Sequence, residues 1–178
     1  FFSFLGGFCQ ADAASLAATE GDIIVSMDAD THYPPDYLQE IRQALLAKPD
    51  AVALSAPFHH RLGPSDRENR ALLRYELYMR HYFLSLAAIR SPYAFIALGS
   101  AIALPARAYR RVRGITPFRA GEDFYFLQKL RKTGHILNYC NAVVYPSCRL
   151  SSRAGFGTGP AIGKGLDGDW RSYPFYPT

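Results

Sequence analysis

The 178-residue sequence is poor in the residues that cross-link a chain. It has only three cysteines, Cys9, Cys140 and Cys148, and their spacing matches no zinc-binding pattern. An odd and sparse set of cysteines predicts no disulfide framework, so we expect a protein of the reducing cytoplasm. Hydrophobic residues make up 49% of the chain and charged residues 20%, which excludes an intrinsically disordered protein and is typical of a globular fold.

The sequence also lacks a long apolar run and a block of basic residues. Its best apolar stretch, residues 94–104, is too short to cross a bilayer and contains Gly99, so it predicts buried structure. The net charge is +5, but the lysines and arginines are spread along the chain and do not alternate with aromatic residues. This pattern argues against nucleic-acid binding. It fits phosphorylated small molecules, peripheral contact with an anionic membrane, or an ordinary solvated surface.

The apolar pattern that is present predicts an α/β fold. Residues 22–27 and 51–58 are short apolar runs, which predict buried strands. Between them, Pro34 and Pro35 open a segment whose apolar residues have helical spacing. A strand, a helix and a second strand in this order predict a mostly parallel sheet flanked by helices.

The remaining residues predict more elements of the same kind and no boundary between two domains. Ser65 and Glu68 form a capping box before a long helix that we expect to reach Arg90. Shorter helices are expected at 11–19, 105–112 and 121–134, and strands at 100–104 and within 136–145. Residues 1–178 are therefore expected to form one domain, with an irregular glycine-rich tail over 146–178.

Two carboxylates, Asp28 and Asp30, directly follow the first predicted strand. Residues two apart in an extended chain point the same way, and open α/β sheets bind ligands at the carboxyl ends of their strands. Two hard oxygen ligands suit Mg²⁺ or Mn²⁺ shared with substrate phosphates. The alternative is that both residues only cap the loop and the helix that follows it. His32 could reach the same metal or lie exposed in the loop, and the pair His59 and His60 is not expected to bind it.

A second acidic pair, Glu122 and Asp123, stands at a predicted helix start. Simple capping of the helix explains it, because free backbone N–H groups stabilise a carboxylate there. The functional alternative is a general base for an attacking hydroxyl, which requires burial to raise the pKa against the helix dipole. Gly99 and Ser100 precede a predicted strand; they either let a ligand approach the backbone or form a bend.

Two arginines in the tail, Arg149 and Arg153, flank a glycine-rich segment. They could bind a diphosphate through charge-assisted hydrogen bonds, or belong to a surface loop. The segment lacks the lysine and the strand–helix setting of an ATP-binding Walker A loop.

Three segments together resemble the motifs of family 2 glycosyltransferases. Residues 21–30, GDIIVSMDAD, resemble the strand and Asp-x-Asp motif of that family. Residues 99–105, GSAIALP, resemble its acceptor-side segment, and residues 121–127, GEDFYFL, resemble the Glu-Asp motif that opens its catalytic helix. The similarity covers roughly residues 21–145 and keeps the order and spacing of the family motifs.

The resemblance implies a GT-A, Rossmann-like fold and inverting transfer from a UDP- or GDP-sugar to a saccharide or lipid-linked acceptor. Asp28 would lie near the donor and Asp30 would ligate Mn²⁺ or Mg²⁺. Asp123 would be the base, Glu122 would contact a sugar, and Gly99 and Ser100 would face the acceptor. Polysaccharide synthesis at the cytoplasmic face of a membrane is the setting that the family suggests.

Two features depart from the family pattern. Nothing before Asp22 resembles the strand and loop that hold the nucleotide base, and the chain does not begin with methionine, so we expect a truncated amino-terminal half. The order Asp169-Trp170-Arg171 is not the Gln-x-x-Arg-Trp motif of processive synthases, which argues against that branch. Two other functions stay open: a GT-A-like nucleotidyl enzyme, and a non-catalytic glycosyltransferase fragment that serves as a binding or structural domain.

Overall fold

A computed structural model describes residues 2–6, 22–116, 121–148, 157–169, 171 and 173–175. Arg149, Arg153 and the helix predicted at 11–19 lie outside these residues. No helix within the described ranges is long and apolar enough to cross a bilayer.

A mixed five-stranded sheet forms the centre of the fold, in the order β1-β2-β4-β3-β5. The strands are β1 (Phe2–Gly6), β2 (Ile23–Met27), β3 (Ala51–Ser55), β4 (Ile102–Pro105) and β5 (His135–Leu137). β1 pairs with β2 and β3 with β5 in parallel, whereas β4 is antiparallel to both β2 and β3. Four of the five strands therefore run in one direction, with β4 alone reversed. The α/β class is confirmed, and the two strands predicted on either side of the first helix, β2 and β3, are parallel but separated by β4.

Within the described residues, five helices accompany the sheet: α1 (Tyr37–Ala47), α2 (Asp66–Ala88), α3 (Ala106–Arg111), α4 (Glu122–Arg131) and α5 (Thr158–Leu166). Ser65 caps α2 as predicted, since its hydroxyl oxygen accepts a hydrogen bond from the N–H of Glu68 at 3.3 Å. α1 begins two residues after Pro35, so the two prolines precede the helix and do not form its first turn.

Three local predictions differ from the structure. β1 was not predicted, although the aromatic residues around Phe2 have high strand propensity. α5 lies within the tail that was expected to be irregular; it forms because Ile162 packs against Ala71 and Leu72 of α2, and packing outweighs the low helix propensity of its glycines. α4 ends at Arg131, three residues before the end predicted at Gly134, where a Cβ would overlap the side chain of Val52.

The core has two apolar layers, one on each face of the sheet. Alternating residues of β2 point into different layers, Ile24 into one and Val25 into the other. The first layer includes Phe126 of α4 and the second includes Ile41 of α1. Helices thus cover both faces of the sheet.

Two of the predicted motifs lie side by side at the ends of neighbouring strands. β2 ends at Met27, just before Asp28, while β4 is preceded by a short 3₁₀ turn, Gly99–Ala101. Because β4 runs antiparallel to β2, the start of one lies beside the end of the other, as the pairing of Val25 with Ala103 shows.

Candidate active site

The Asp28–Asp30 segment lies on a turn at the end of β2. The N–H of Thr31 donates to the carbonyl of Asp28 at 3.1 Å, and both carboxylate residues are half-buried. β2 ends at Met27, so residues 28–30 do not have the extended conformation from which we predicted that both carboxylates face the same way. The predicted position of both carboxylates, at the carboxyl end of the strand, is confirmed.

Two contacts hold this turn from opposite sides. His32 and Tyr145 exchange backbone hydrogen bonds of 2.9 Å in an isolated antiparallel bridge. On the other side, the Tyr33 hydroxyl accepts a hydrogen bond from the N–H of Asp28 at 2.9 Å and donates one to the carbonyl of Ser100 at 2.9 Å. The Asp28 turn and the Ser100 turn are thus joined through one phenol, which sequence reasoning did not identify.

Asp123 lies at the start of α4. Gly121 caps this helix with φ of 77°, a left-handed conformation that favours glycine. The Oδ1 atom of Asp123 accepts a hydrogen bond from the N–H of Phe124 at 2.7 Å. A Cβ placed on Gly99 would lie 3.7 Å from Asp123 Oδ2, so the predicted acceptor-side segment is in contact with the predicted base.

The surroundings of Asp123 favour its neutral form. Burial and, to a smaller extent, the negative charge of Glu122 raise the pKa of this carboxyl to about 6, against the opposing effect of hydrogen bonds from the backbone of Phe124 and Gly99. Loss of hydration therefore outweighs the helix-terminus donors, which is the condition that the sequence left open. A carboxyl group with a pKa close to neutral pH is suited to general base catalysis.

Tyr75 of α2 also borders this site. Burial is the main cause that raises its pKa, and the Asp123 carboxylate contributes through its charge. Its ring packs edge-on against Tyr173, with the ring centroids 5.1 Å apart, and Tyr173 packs in the same way against Tyr78 at 5.2 Å. No sequence motif distinguished Tyr75 from the other aromatic residues of the long helix.

The described residues contain no group of three His, Cys, Asp or Glu side chains that could hold a metal ion. Asp28 and Asp30 offer hard oxygen ligands, but two carboxylates do not complete the octahedral shell of Mg²⁺. This donor set fits an ion that takes its other ligands from water and a substrate diphosphate. It does not fit an ion held by protein groups alone.

The two other histidines weighed as metal ligands serve a different cluster. His60 Nδ1 lies 2.8 Å from Glu76 Oε2, and His59 Nδ1 lies 3.2 Å from Glu76 Oε1. Arg80 Nη2 approaches Glu76 Oε1 at 2.5 Å, and His60 Nε2 lies 3.0 Å from the Thr158 hydroxyl of α5. This cluster ties α2 to the loop after β3 and to α5.

Comparison with known proteins gives one family. The family model described as "Glycosyl transferase family group 2" matches residues 23–158, more than half of the chain. The matched range contains both acidic motifs and the Gly99–Ala101 turn between them. No curated protein matches the chain.

Proposed function

This chain belongs to the family 2 glycosyltransferases, and on that basis we propose that it transfers a sugar from a nucleotide-diphosphate sugar to an acceptor hydroxyl with inversion of configuration. The observation that carries the proposal is the environment of Asp123, a carboxyl group whose pKa burial raises to about 6. Family membership supplies the reaction class, and the position of this carboxyl beside Gly99 supplies the candidate base.

Asp123 is the general base in this proposal. Above about pH 6 it is ionised and accepts the proton of the acceptor hydroxyl. The acceptor oxygen then forms a bond to the anomeric carbon of the donor, and the bond from that carbon to the diphosphate oxygen breaks on the opposite face. Gly99 places no side chain of its own against Asp123 Oδ2, which supports acceptor approach from the side of Gly99 and Ser100.

The donor lies on the side of Asp28 and Asp30 in this proposal. These carboxylates would hold Mn²⁺ or Mg²⁺ together with the donor diphosphate, and the ion would offset the charge that develops on the leaving group. Glu122, next to the base, is proposed to contact the donor or acceptor sugar. Arg149 and Arg153 are proposed to bind the diphosphate on the basis of the sequence alone.

The donor nucleotide is proposed to be UDP or GDP, and the acceptor a saccharide or a lipid-linked saccharide. The net charge of +5 supports peripheral association with the anionic cytoplasmic face of a membrane.

A donor panel tests this function. The protein is incubated with Mn²⁺ or Mg²⁺, UDP-, GDP- and dTDP-sugars, and saccharide or lipid-linked acceptors, while nucleoside diphosphate release and the anomeric configuration of the product are measured. We expect one nucleotide class to be consumed, with an inverted product. Release of no nucleotide, together with no thermal stabilisation by any donor, would instead support the non-catalytic domain.

A pair of variants from one loop tests the metal ligands. Asp30→Asn is expected to abolish the thermal stabilisation that needs both Mn²⁺ and nucleotide. Asp36→Asn is the matched control, because Asp36 is exposed at the start of α1 and its side chain makes no capping hydrogen bond. Equal stabilisation of both variants would show that Asp30 does not hold the metal.

A further inference from the structure

We propose that Tyr33 is a positioning residue, whose hydroxyl fixes the turn carrying Asp28 and Asp30 against the Gly99–Ser100 turn. This inference rests on the proposed function, because the two turns are the donor side and the acceptor side of that reaction. It concerns how the two reactants are held relative to each other, and it assigns no proton transfer to Tyr33.

The hydroxyl of Tyr33 makes hydrogen bonds in both directions. It accepts from the N–H of Asp28 and donates to the carbonyl of Ser100, each at 2.9 Å. Both partners are backbone groups, so the phenol fixes the course of the chain in each turn. Tyr33 and Ser100 are 67 residues apart in sequence, and the oxygen of the Tyr33 hydroxyl contacts both turns.

Tyr33 is itself held in place. Its ring packs against Tyr37 with the centroids 4.9 Å apart, and Pro34, the next residue, restricts the backbone of Tyr33. A phenol keeps its proton across the physiological range, so the hydroxyl can donate to Ser100 there.

The acceptor-side end of this connection reaches the candidate base. Gly99, next to Ser100, contacts Asp123 through the backbone and places no side chain of its own against the Oδ2 atom. A shift of the Ser100 turn relative to Asp28 would change the distance between a base-activated hydroxyl and the donor. Small displacements of this kind slow catalysis strongly, while each substrate still binds.

Tyr37 provides a matched comparison within the same aromatic pair. Its side chain is buried at 1% exposure, and its hydroxyl has no hydrogen-bond partner among the described residues. Tyr33→Phe removes a bridging hydroxyl, whereas Tyr37→Phe removes a hydroxyl that bridges nothing described. Both substitutions keep the two rings and their packing, so a difference between the variants reports the hydroxyl of Tyr33.

The first measurement does not depend on catalysis. Amide hydrogen exchange of the protein without ligands is followed by NMR for Tyr33→Phe, Tyr37→Phe and the wild type. We expect exchange of the Asp28 amide to accelerate roughly tenfold or more in Tyr33→Phe and to stay unchanged in Tyr37→Phe. Unchanged exchange in Tyr33→Phe would overturn the connection, whether or not the protein proves to be a transferase.

The second measurement asks whether the connection positions the reactants. In Tyr33→Phe we expect kcat to fall roughly 10- to 100-fold, with KM for donor and acceptor changing less than about threefold. Titration with the nucleoside diphosphate and Mn²⁺ should still show one binding site per molecule. A fall in kcat matched by an equal loss of binding-competent molecules, or wild-type kcat in Tyr33→Phe, would overturn the positioning role. Absence of transfer by the wild type would reject the proposed function and, with it, the positioning role.

Discussion

Asp123 at the start of α4 and Glu76 within α2 are both shielded from water, yet their carboxyl groups have opposite pKa shifts. Burial raises the pKa of Asp123 to about 6. Burial also acts to raise the pKa of Glu76, but hydrogen bonds from His60 and Arg80 together with the charge of Arg80 bring it down to about 2. Of these two desolvated carboxyl groups, Asp123 therefore takes up a proton near pH 6, whereas Glu76 stays ionised down to about pH 2.

The difference lies in the partners of each group. Both oxygens of Glu76 contact donors: Oε1 meets His59 and Arg80, and Oε2 meets the ring and the N–H of His60. The groups that act on Asp123 are backbone N–H groups and the negative charge of Glu122. A desolvated carboxylate surrounded by cations and donors supports the fold, whereas one beside a like charge is available to take a proton from a ligand.

Removal of the charge at Asp123 gives the largest expected effect on activity. Asp123→Asn should lower kcat by roughly 10²- to 10⁴-fold, the usual contribution of a general base. Steady-state assays with the nucleotide sugar that the donor panel selects measure this loss. Asp50→Asn, an exposed aspartate before β3, is the control and should keep wild-type kcat. An active Asp123→Asn variant would remove Asp123 from the mechanism.

The same substitution should stabilise the protein. Because the folded pKa lies above the unfolded value of 3.8, ionisation of Asp123 costs stability as the pH rises from about 4 through 6, and none of this cost exists below pH 4. At pH 7.5 Asp123→Asn should therefore raise the free energy of unfolding by about 1–2 kcal/mol, a value reduced because the side chain keeps some solvent contact. Urea unfolding at pH 7.5 and pH 4 tests this difference.

Glu76 should show the opposite behaviour. Glu76→Ala leaves His60 and Arg80 without their partner and should lower the free energy of unfolding by about 1–3 kcal/mol at pH 7, less than for a fully buried pair because the Arg80 side chain is 34% exposed. The wild type should lose this stabilisation in acid, because the contribution of Glu76 to the free energy of unfolding is present above about pH 4.5 and disappears as the pH falls towards 2.

Activity measured well below the unfolding temperature separates the role of Glu76 from that of Asp123. There, kcat per folded molecule of Glu76→Ala should match the wild type. Asp66→Ala, on the exposed first turn of the same helix, is the control for loss of an acidic residue from α2. A variant that kept full stability without Glu76 would show that the cluster does not support the fold.

The smallest loss of activity is expected for Gly99→Ala. A methyl group in Gly99→Ala would lie 3.7 Å from Asp123 Oδ2, at ordinary contact distance, so the fold should be retained. The methyl group would cover part of the base, and we expect kcat to fall about threefold to tenfold. Gly63→Ala is the control, because a Cβ there meets nothing within 4 Å. Equal kcat values in the two variants would place the acceptor elsewhere.

The sequence predicted the parts of the fold that depend on local patterns. The apolar runs around Ile24 and Val52 gave β2 and β3, and the Ser65 capping box gave the start of α2. α5 was missed because its helical state depends on packing of Ile162 against α2, which no local pattern contains. The position of β4 between β2 and β3 was missed for the same reason, since strand order is set by the whole fold.

The candidate site divides in the same way. The carboxylates Asp28, Asp30 and Asp123 could be found from their positions after a strand or at a helix start. Tyr33 could not, because its role comes from a contact with Ser100, 67 residues away. The pKa of Asp123 could not be predicted either, since it depends on how many atoms exclude water from the carboxyl group.

A titration measures the opposite pKa shifts of Asp123 and Glu76 directly. The protein is labelled with ¹³C at its side-chain carboxyl groups, and the signals of Asp123 and Glu76 are assigned from Asp123→Asn and Glu76→Gln and followed by NMR between pH 2.5 and 8. We expect a midpoint of about 6 for Asp123 and of about 2 for Glu76, which therefore stays ionised through most of the range. An Asp123 midpoint near 3.8, its ordinary value, would show that Asp123 is an ordinary capping residue and not a base set by burial.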